Sequence, residues 1–333
     1  MTLNRPEWIA ALLLPETYKS NTKKIRLVET SSSYLFKADN LIYKIKKFSN
    51  EYSTLAIKEA FCYEECKLSK RFNHDWDIEV IPILEKKGKI RIGAKDGTPI
   101  DYALKMPLLP ENSLLSNLLG KNMITEDNIS KIAIRIAEIH SQLAPEEKSV
   151  EPGKSEVFRS LCDDMLFQMK RYFDSSTTQP ILDMIRHPLE KFIDKNKNLF
   201  NKRQKKRRVV LGHGAFLPEH IFVNNNEIFF ISPQEVQRNF AVIDVANDVA
   251  SLAVELSRFK KNNLLDSFLK QYLLTSKDQD LFKILPLFQT YCALKQGVKT
   301  CELKVAQQND ELSSLAMDYF HLAVRFSREI PRS

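Results

Sequence analysis

Alternating apolar and polar residues mark the first third of the chain as strand-rich. Ile25, Leu27 and Glu29 lead into Thr30-Ser31-Ser32-Ser33, Tyr34-Leu35-Phe36 runs to a turn at Ala38-Asp39-Asn40, and Leu41-Ile42-Tyr43-Lys44-Ile45-Lys46 returns as a third strand. Two hairpins are predicted. The period changes at Ser53. From there to Phe72, Leu55, Cys62, Cys66 and Leu68 recur at helical spacing behind Ser53 or Thr54, either of which suits the N-cap. Glu79 to Leu84 and Tyr102 to Met106 read as two more strands, giving five, separated by a Gly-containing turn region over 87–98. Pro107-Leu108-Leu109-Pro110 then breaks the pattern and makes a hinge.

Beyond the hinge the chain reads as helical. Ile129, Ile132, Ile136, Ile139 and Leu143 form one apolar stripe. Short β-like runs return at Val209-Val210-Leu211, Ile221-Phe222-Val223 and Ile228 to Ile231, with Asn224-Asn225-Asn226 as the turn between the last two. From Asp244 onward helices dominate again, and no internal repeat stands out. The pattern predicts an α+β, bilobal chain. A small antiparallel β N-lobe with one helix occupies residues 1–106, and a hinge with a larger, mainly helical C-lobe carrying a small β insert occupies 107–333. The early run Trp8 to Leu14 is too short to span a bilayer. It ends in Pro15-Glu16 without a small-residue cleavage site, so it reads as a short packed helix and not a signal peptide.

Composition narrows this only a little. A chain of 333 residues with 43% hydrophobic and 28% charged residues is an ordinary globular protein with room for two lobes sharing a cleft. The formal net charge of +8 fits an anionic partner such as nucleotide phosphate, nucleic acid or an acidic protein surface, though a lysine-rich solvated face gives the same total. The densest basic run, Lys202 to Arg208, reads as a solvated linker or turn in preference to an anion patch. Five cysteines without paired spacing argue against a disulfide framework and suit a reducing cytoplasm. Cys62 and Cys66, with His74 further on, read as a structural pair on a helix and not as metal ligands.

The order of elements describes the protein-kinase-like fold, and a set of ordered motifs narrows the resemblance. Tyr43-Lys44-Ile45-Lys46-Lys47, Ser53-Thr54-Leu55, Cys62-Tyr63-Glu64-Glu65, Tyr102-Ala103-Leu104-Lys105-Met106, Leu199-Phe200-Asn201-Lys202-Arg203, His213-Gly214, Ile243 to Asp248 and Tyr291-Cys292-Ala293 resemble the aminoglycoside phosphotransferase-like bacterial kinases. They are most similar to the branch in which this domain often precedes a P-loop kinase domain. The likeness covers roughly residues 10–330. No G-x-x-x-x-G-K-S/T motif occurs in the sequence, and Pro331-Arg332-Ser333 falls where the appended domain would begin, so the domain is expected to stand alone.

The resemblance implies a catalytic loop, over 212–236, reading His-Gly-Asp, with an Asn five residues after the Asp and a metal-binding Asp about seventeen after it. This chain places Ala215, His220 and Ser232 at those positions. Alanine accepts no proton, and serine without a carboxylate beside it is a poor Mg²⁺ ligand. Glu219 and Glu235 are the carboxylates available as substitutes, and a His220–Glu235 pair could hold a softer metal such as Mn²⁺ or Zn²⁺, or both could be ordinary polar residues. Asp244 and Asp248 suit helix capping and anchoring, and His213 a structural role. On the nucleotide side the resemblance implies Lys44 as the phosphate-pairing lysine, Glu64 as the carboxylate that holds it, and Lys46 as a fallback. It further implies Ser31, Ser32 and Ser33 as a phosphate-covering loop without glycine, and Met106, Leu108 and Leu109 either lining a purine site or simply packing.

The expected function is therefore a catalytically impaired pseudokinase. It would bind nucleotide, ATP by resemblance, with Mg²⁺ and Mn²⁺ disfavoured, and serve as a regulatory module for a protein or small-molecule partner that the sequence does not name. The alternatives are a working phosphotransferase on a small-molecule or protein hydroxyl using Glu219 or Glu235, and altered chemistry such as nucleotidyl transfer. Nucleic-acid binding rests on charge alone and is disfavoured.

Overall fold

Strand alternation in the first third produces a sheet with two different faces. The computed structural model describes residues 6–18, 22–30, 32–47, 53–73, 76–143, 153–172, 175–224, 227–231 and 242–332. These form two compact units, the first reaching Ser113 and taking in Phe229 and Phe230 as well.

The first unit is a six-stranded antiparallel sheet: β1 (Ile25–Glu29), β2 (Ser33–Ala38), β3 (Leu41–Lys46), β4 (Glu79–Lys86), β5 (Lys89–Ile92) and β6 (Thr98–Pro107), in the order β1-β2-β3-β6-β4-β5. The two predicted hairpins are β1–β2 and β2–β3. The expectation of five strands is corrected by β5, which lies in the stretch read as turn. Lys87 and Gly88 both take positive φ (51° and 73°) and close a two-residue hairpin, so Ile90 and Ile92 continue the alternation on a short strand.

One face of this sheet presents Tyr34, Phe36, Tyr43, Ile45, Ile83 and Ala103, which bury Ile9, Leu12 and Tyr18 of the N-terminal segment. That segment contains α1 (Trp8–Ala11), and the Tyr18 hydroxyl donates to the Leu12 carbonyl at 2.7 Å. The other face takes α2 (Leu55–Phe72), capped by Thr54, whose side chain accepts from the Ile57 amide. Cys62, Cys66, Trp76, Ile78, Leu104 and Met106 form the core there, and a fully buried Lys58–Asp101 ion pair links α2 to β6.

Cys62 and Cys66 sit on that buried stripe with their thiols toward the Tyr102 and Ile78 carbonyls, as structural residues. His74 lies outside the described residues. All five cysteines are free and buried, and burial pushes the Cys62 and Cys292 thiols up to about 12. At pH 8 a thiol of that pKa is only about 10⁻⁴ ionised, so native protein is expected to titrate less than about one thiol equivalent with Ellman's reagent within minutes. After unfolding in guanidinium all five should react; prompt native labelling of several would contradict this packing.

The second unit is a helical body. Its helices are α3 (Leu115–Gly120), α4 (Glu126–Gln142), α5 (Ser155–Lys170), α6 (Ser175–Lys195), α7 (Lys197–Lys205), α8 (Val245–Arg258), α9 (Asn262–Ser276), α10 (Leu281–Gln307) and α11 (Leu312–Glu329). Two small β pairs also occur in this part of the chain: β7 (Val209–Leu211) with β10 (Val242–Asp244), and β8 (Ile221–Asn224) with β9 (Glu227–Phe230). Residues 225–226 of the predicted Asn turn lie outside the described residues. A Thr125–Asn128 capping box starts α4, whose buried stripe is Ile129, Ile132, Ala133, Ile136, Ala137, Ile139 and His140. Helix α8 is buried from Val245 to Ser257, so it is the axis of this unit. Helices α10 and α11 meet closely at Gly297, where a Cβ would overlap the Phe320 ring.

The basic run 202–208 is solvated at Lys202, Lys205, Lys206 and Arg207, and 206–207 form the expected turn. Its first part is instead helix α7, and Arg203 is 1% exposed, donating four hydrogen bonds of 2.6–3.0 Å to Asp244 and Asp278. Lys202 and Lys206 pair with Asp280 at 2.8 and 3.3 Å. A run of like charges is tolerated here because carboxylates distant in sequence meet it.

Candidate functional site

The chemistry-bearing residues fall into one cluster in each unit. In the first, antiparallel register places Ser33 opposite Lys46 and Leu35 opposite Lys44, so Ser33, Lys44 and Lys46 share the α2 side of the sheet. Lys44 is buried, 6% exposed, and its ammonium pairs with the carboxylate of Glu65 on α2.

This corrects the expected partner, Glu64, which is exposed. The reason is helical phase. Lys58, Cys62, Glu65, Cys66 and Ser69 form the buried stripe of α2, and Glu64 lies about 100° away on the solvent side. The buried pattern of Cys62 and Cys66 was the signal that selects Glu65. Lys46 is also buried, its ammonium 5.1 Å from the centre of the Phe61 ring.

The β1–β2 turn is closed by Thr30, whose amide and hydroxyl both donate to the Ser33 carbonyl (2.9 and 3.1 Å), while the Lys47 amide donates to the Ser32 carbonyl. The Ser32 and Ser33 hydroxyls are buried and have no hydrogen-bond partner among the described residues. Orphaned hydroxyls are rare in a folded interior, and that of Ser33 lies on the strand face of the buried Lys44 and Lys46, which fits a group bearing phosphate oxygens. Ser31 lies outside the described residues. Met106 is buried in the α2-side core, packed with Leu109 among others, and the Leu108 amide donates to the Asn40 carbonyl at 2.8 Å.

The cluster in the second unit is the His213–His220 loop, and Asp248 at the start of α8 organises it. One carboxylate oxygen accepts the His213 amide (2.9 Å) and lies 3.2 Å from His140 Nε2; the other accepts the Gly214 amide at 2.8 Å. His140 Nδ1 is 2.8 Å from the Tyr272 hydroxyl. An Nε2–H that donates to Asp248 leaves Nδ1 to accept from Tyr272, so one neutral tautomer satisfies both contacts. Burial works to raise the Asp248 pKa, but the hydrogen bond and charge of His140, with His213, outweigh it and hold the carboxyl below the usual carboxylate range. Two glycines permit this arrangement. A Cβ at Gly212 would meet the Asp248 carboxylate at 2.8 Å, and Gly214 takes φ of 78°.

His213 is buried and stacks on Phe216 with ring centres 4.2 Å apart, which is a structural role. Asp244 caps α8 by accepting the Ala246 amide and pairs with Arg203. Sequence reasoning passed over His140 altogether. Its signal was a histidine four residues after Ile136, on the buried stripe of α4.

At the centre of the loop Ala215 offers a methyl group and a carbonyl, and that carbonyl accepts from His220 Nδ1 at 3.0 Å. One of the two ring nitrogens of His220 is thus committed to its own loop. Ser232 and Glu235 lie outside the described residues. Glu219 is exposed, and its charge acts on Glu255, Arg258 and Tyr319. Among the described residues no three His, Cys, Asp or Glu side chains are grouped so as to hold a metal ion.

No family profile matches the chain. Solved structures do. The aminoglycoside phosphotransferase of Alicyclobacillus acidocaldarius aligns with 95% of this chain and 92% of its own at 9% identity and a TM-score of 0.54. Aminoglycoside phosphotransferase APH(4)-Ia aligns with 96% of this chain and 99% of its own at 12% identity and a TM-score of 0.53. A mutant of aminoglycoside 2'-phosphotransferase-IIIa, solved as its GDP complex, covers 92% of each chain at 13% identity and a TM-score of 0.50. The chain therefore has the protein-kinase-like fold of the aminoglycoside phosphotransferases. By sequence it is 20% identical over 303 residues to the uncharacterized protein Rv2004c of Mycobacterium tuberculosis and to its Mycobacterium bovis counterpart, Mb2027c. The match takes in 89% of this chain and spans 58% of the length of those relatives. Among the described residues no helix is long and apolar enough to cross a membrane.

Proposed function

We propose that this chain is a phosphotransferase-fold module that binds a nucleotide without transferring its terminal phosphoryl group, and that it works as a regulatory or partner-binding protein. The observation that carries this reading is a contrast between the two clusters. The first unit keeps the buried Lys44–Glu65 pair on the sheet face that Ser33 shares, and the Ser32 and Ser33 hydroxyls have no partner among the described residues. The loop of the second unit is anchored by Asp248 yet presents a methyl group at Ala215.

A bound nucleotide would supply the phosphate oxygens. Lys44, oriented by Glu65, would counter their charge, and Ser32 and Ser33 would donate to them. Removing a general base costs on the order of 10²–10⁴ in rate, so a loop without one is suited to display and not to turnover. The fold alone does not require activity. Five free buried thiols support a reducing compartment.

The test is a thermal shift with ATP, ADP and GTP, in EDTA and in Mg²⁺. A nucleotide at about 100 times its Kd should stabilise the protein by about 2.7 kcal/mol, equally with and without metal. Lys44→Met should weaken that binding at least about ten-fold, because it removes the charge that meets the phosphates. Metal-dependent phosphoryl transfer from purified protein that survives Ser232→Ala would refute the reading, as would the absence of any nucleotide shift.

A further inference from the structure

The helical body contains a cavity of about 140 Å³ lined wholly by residues of the second unit. Its walls are largely apolar. Phe158 is the hub, with ring centres 4.5 Å from Phe288, 5.4 Å from Tyr291 and 6.0 Å from Phe200, and Val242 of β10 adds to the lining. A cavity of roughly 150 Å³ lined by such side chains accommodates one benzene ring.

Three features of the lining are polar in a way that matters. Asp244 lines it, but its carboxylate is already neutralised by two bonds from Arg203 and accepts the Ala246 amide. Lys295, on α10, lines it and has no carboxylate within ion-pair distance among the described residues. Tyr291, one turn earlier, is 5% exposed, and its hydroxyl has no hydrogen-bond partner among the described residues. The exposed Asp164 on α5 is the carboxylate whose charge reaches Tyr291, and it does not line the cavity. Burial keeps the Tyr291 hydroxyl protonated, so it is a donor at all physiological pH values.

The cavity thus combines an aromatic, ring-sized interior with a cation and an O–H donor that have no partner among the described residues. We propose that it is a binding site for a small organic monoanion, a carboxylate carried on a single ring or an apolar body of that size. The ring would lie among Phe158, Phe200 and Phe288 and the carboxylate would meet Lys295 and the Tyr291 hydroxyl. A cationic amine of the same shape would meet the Lys295 ammonium and be excluded. The assignment does not depend on the nucleotide reading, since it uses no residue of the first unit.

Isothermal titration of the full chain with benzoate, phenylacetate, benzamide and benzylamine tests it. For ligands of this size, dissociation constants on the order of 0.1–1 mM are expected for the carboxylates. Benzamide should bind at least about five-fold more weakly, and benzylamine should give no heat, because each loses the charge-assisted contact. Lys295→Met and Lys295→Gln should weaken carboxylate binding about ten-fold or more, Lys295→Arg should retain it, and Tyr291→Phe should cost about three- to ten-fold. Lys44→Met should leave carboxylate binding unchanged, which separates this site from the nucleotide site. Benzylamine binding as tightly as benzoate, unaltered carboxylate affinity in both neutral Lys295 variants, or no heat with either carboxylate up to about 10 mM would each overturn the proposal.

Discussion

Replacing Arg203 with Met is expected to lower stability by about 3–5 kcal/mol, the range for removing one partner of a buried charge network. For a chain of this size that is a fall in Tm of roughly 6–10 °C. The guanidinium is 1% exposed and holds Asp244 through Nε and Nη2 (2.6 and 2.7 Å) and Asp278 through Nη1 and Nη2 (3.0 and 2.9 Å). Burial disfavours its charge, but Asp244 and Asp278 outweigh that and keep it protonated. Methionine would fill most of the volume while leaving two carboxylates with little access to water. The 3.8 Å contact of Arg208 Nε with Asp278 is too long to replace what is lost. Lysine keeps the charge but cannot make the forked contact with two carboxylates, so Arg203→Lys should recover less than about half of the deficit. Neutralising the partner as well, in Arg203→Met with Asp278→Asn, should be less damaging than the sum of the two single changes. Urea unfolding of the parent and the four variants measures this; Arg203→Met within about 1 kcal/mol of the parent would show that the network is solvated and weak.

Asp248→Asn is expected to cost about 2–4 kcal/mol and to loosen the 212–220 loop locally. Asparagine offers one acceptor oxygen where the carboxylate offers two, so its amide NH₂ would face either the Gly214 N–H or the donors at His213 and His140. At least one buried donor is then orphaned. The carboxyl is held below its ordinary range in the folded state, so its contribution to stability is present above the unfolded pKa of about 3.9 and is lost as pH falls through the lower folded value. The parent should therefore hold an acid-stability increment that the variant lacks, and the two stability–pH curves should converge well below pH 4. Hydrogen exchange offers the local readout. The His213 and Gly214 amides should exchange at least about ten-fold faster in the variant, and unchanged protection there would mean that Asp248 does not organise the loop.

Much of the fold is visible in residue patterns because the pattern is what burial selects. Strands β1 to β3 alternate since one face of the sheet covers Ile9, Leu12 and Tyr18 while the other covers α2. The stripe of α4 is buried as its spacing requires, and the Thr54 and Thr125 caps are local chemistry. Strand β5 is marked in the sequence only by the Lys87-Gly88 turn and the alternating Ile90 and Ile92, a signal as short as the turn region around it. The basic run at 202–208 was read as solvated because nothing within it announces that Asp244, Asp278 and Asp280, some 40 to 80 residues away in sequence, fold back onto it.

For the candidate site the division is sharper. Sequence alone determined the α+β architecture, an alanine at position 215 of the His213-Gly214 loop, and Lys44 as a strand lysine, because local periodicity and residue identity suffice for each. Only the tertiary structure decided that Glu65 and not Glu64 meets Lys44, that Asp248 and His140 brace the loop, and that Lys295 borders an aromatic cavity. Each of these depends on the rotational phase of a helix and on which distant side chain reaches across to it. A difference of one residue turns a helix by about 100°, and that is enough to exchange a buried ion pair for a solvated carboxylate.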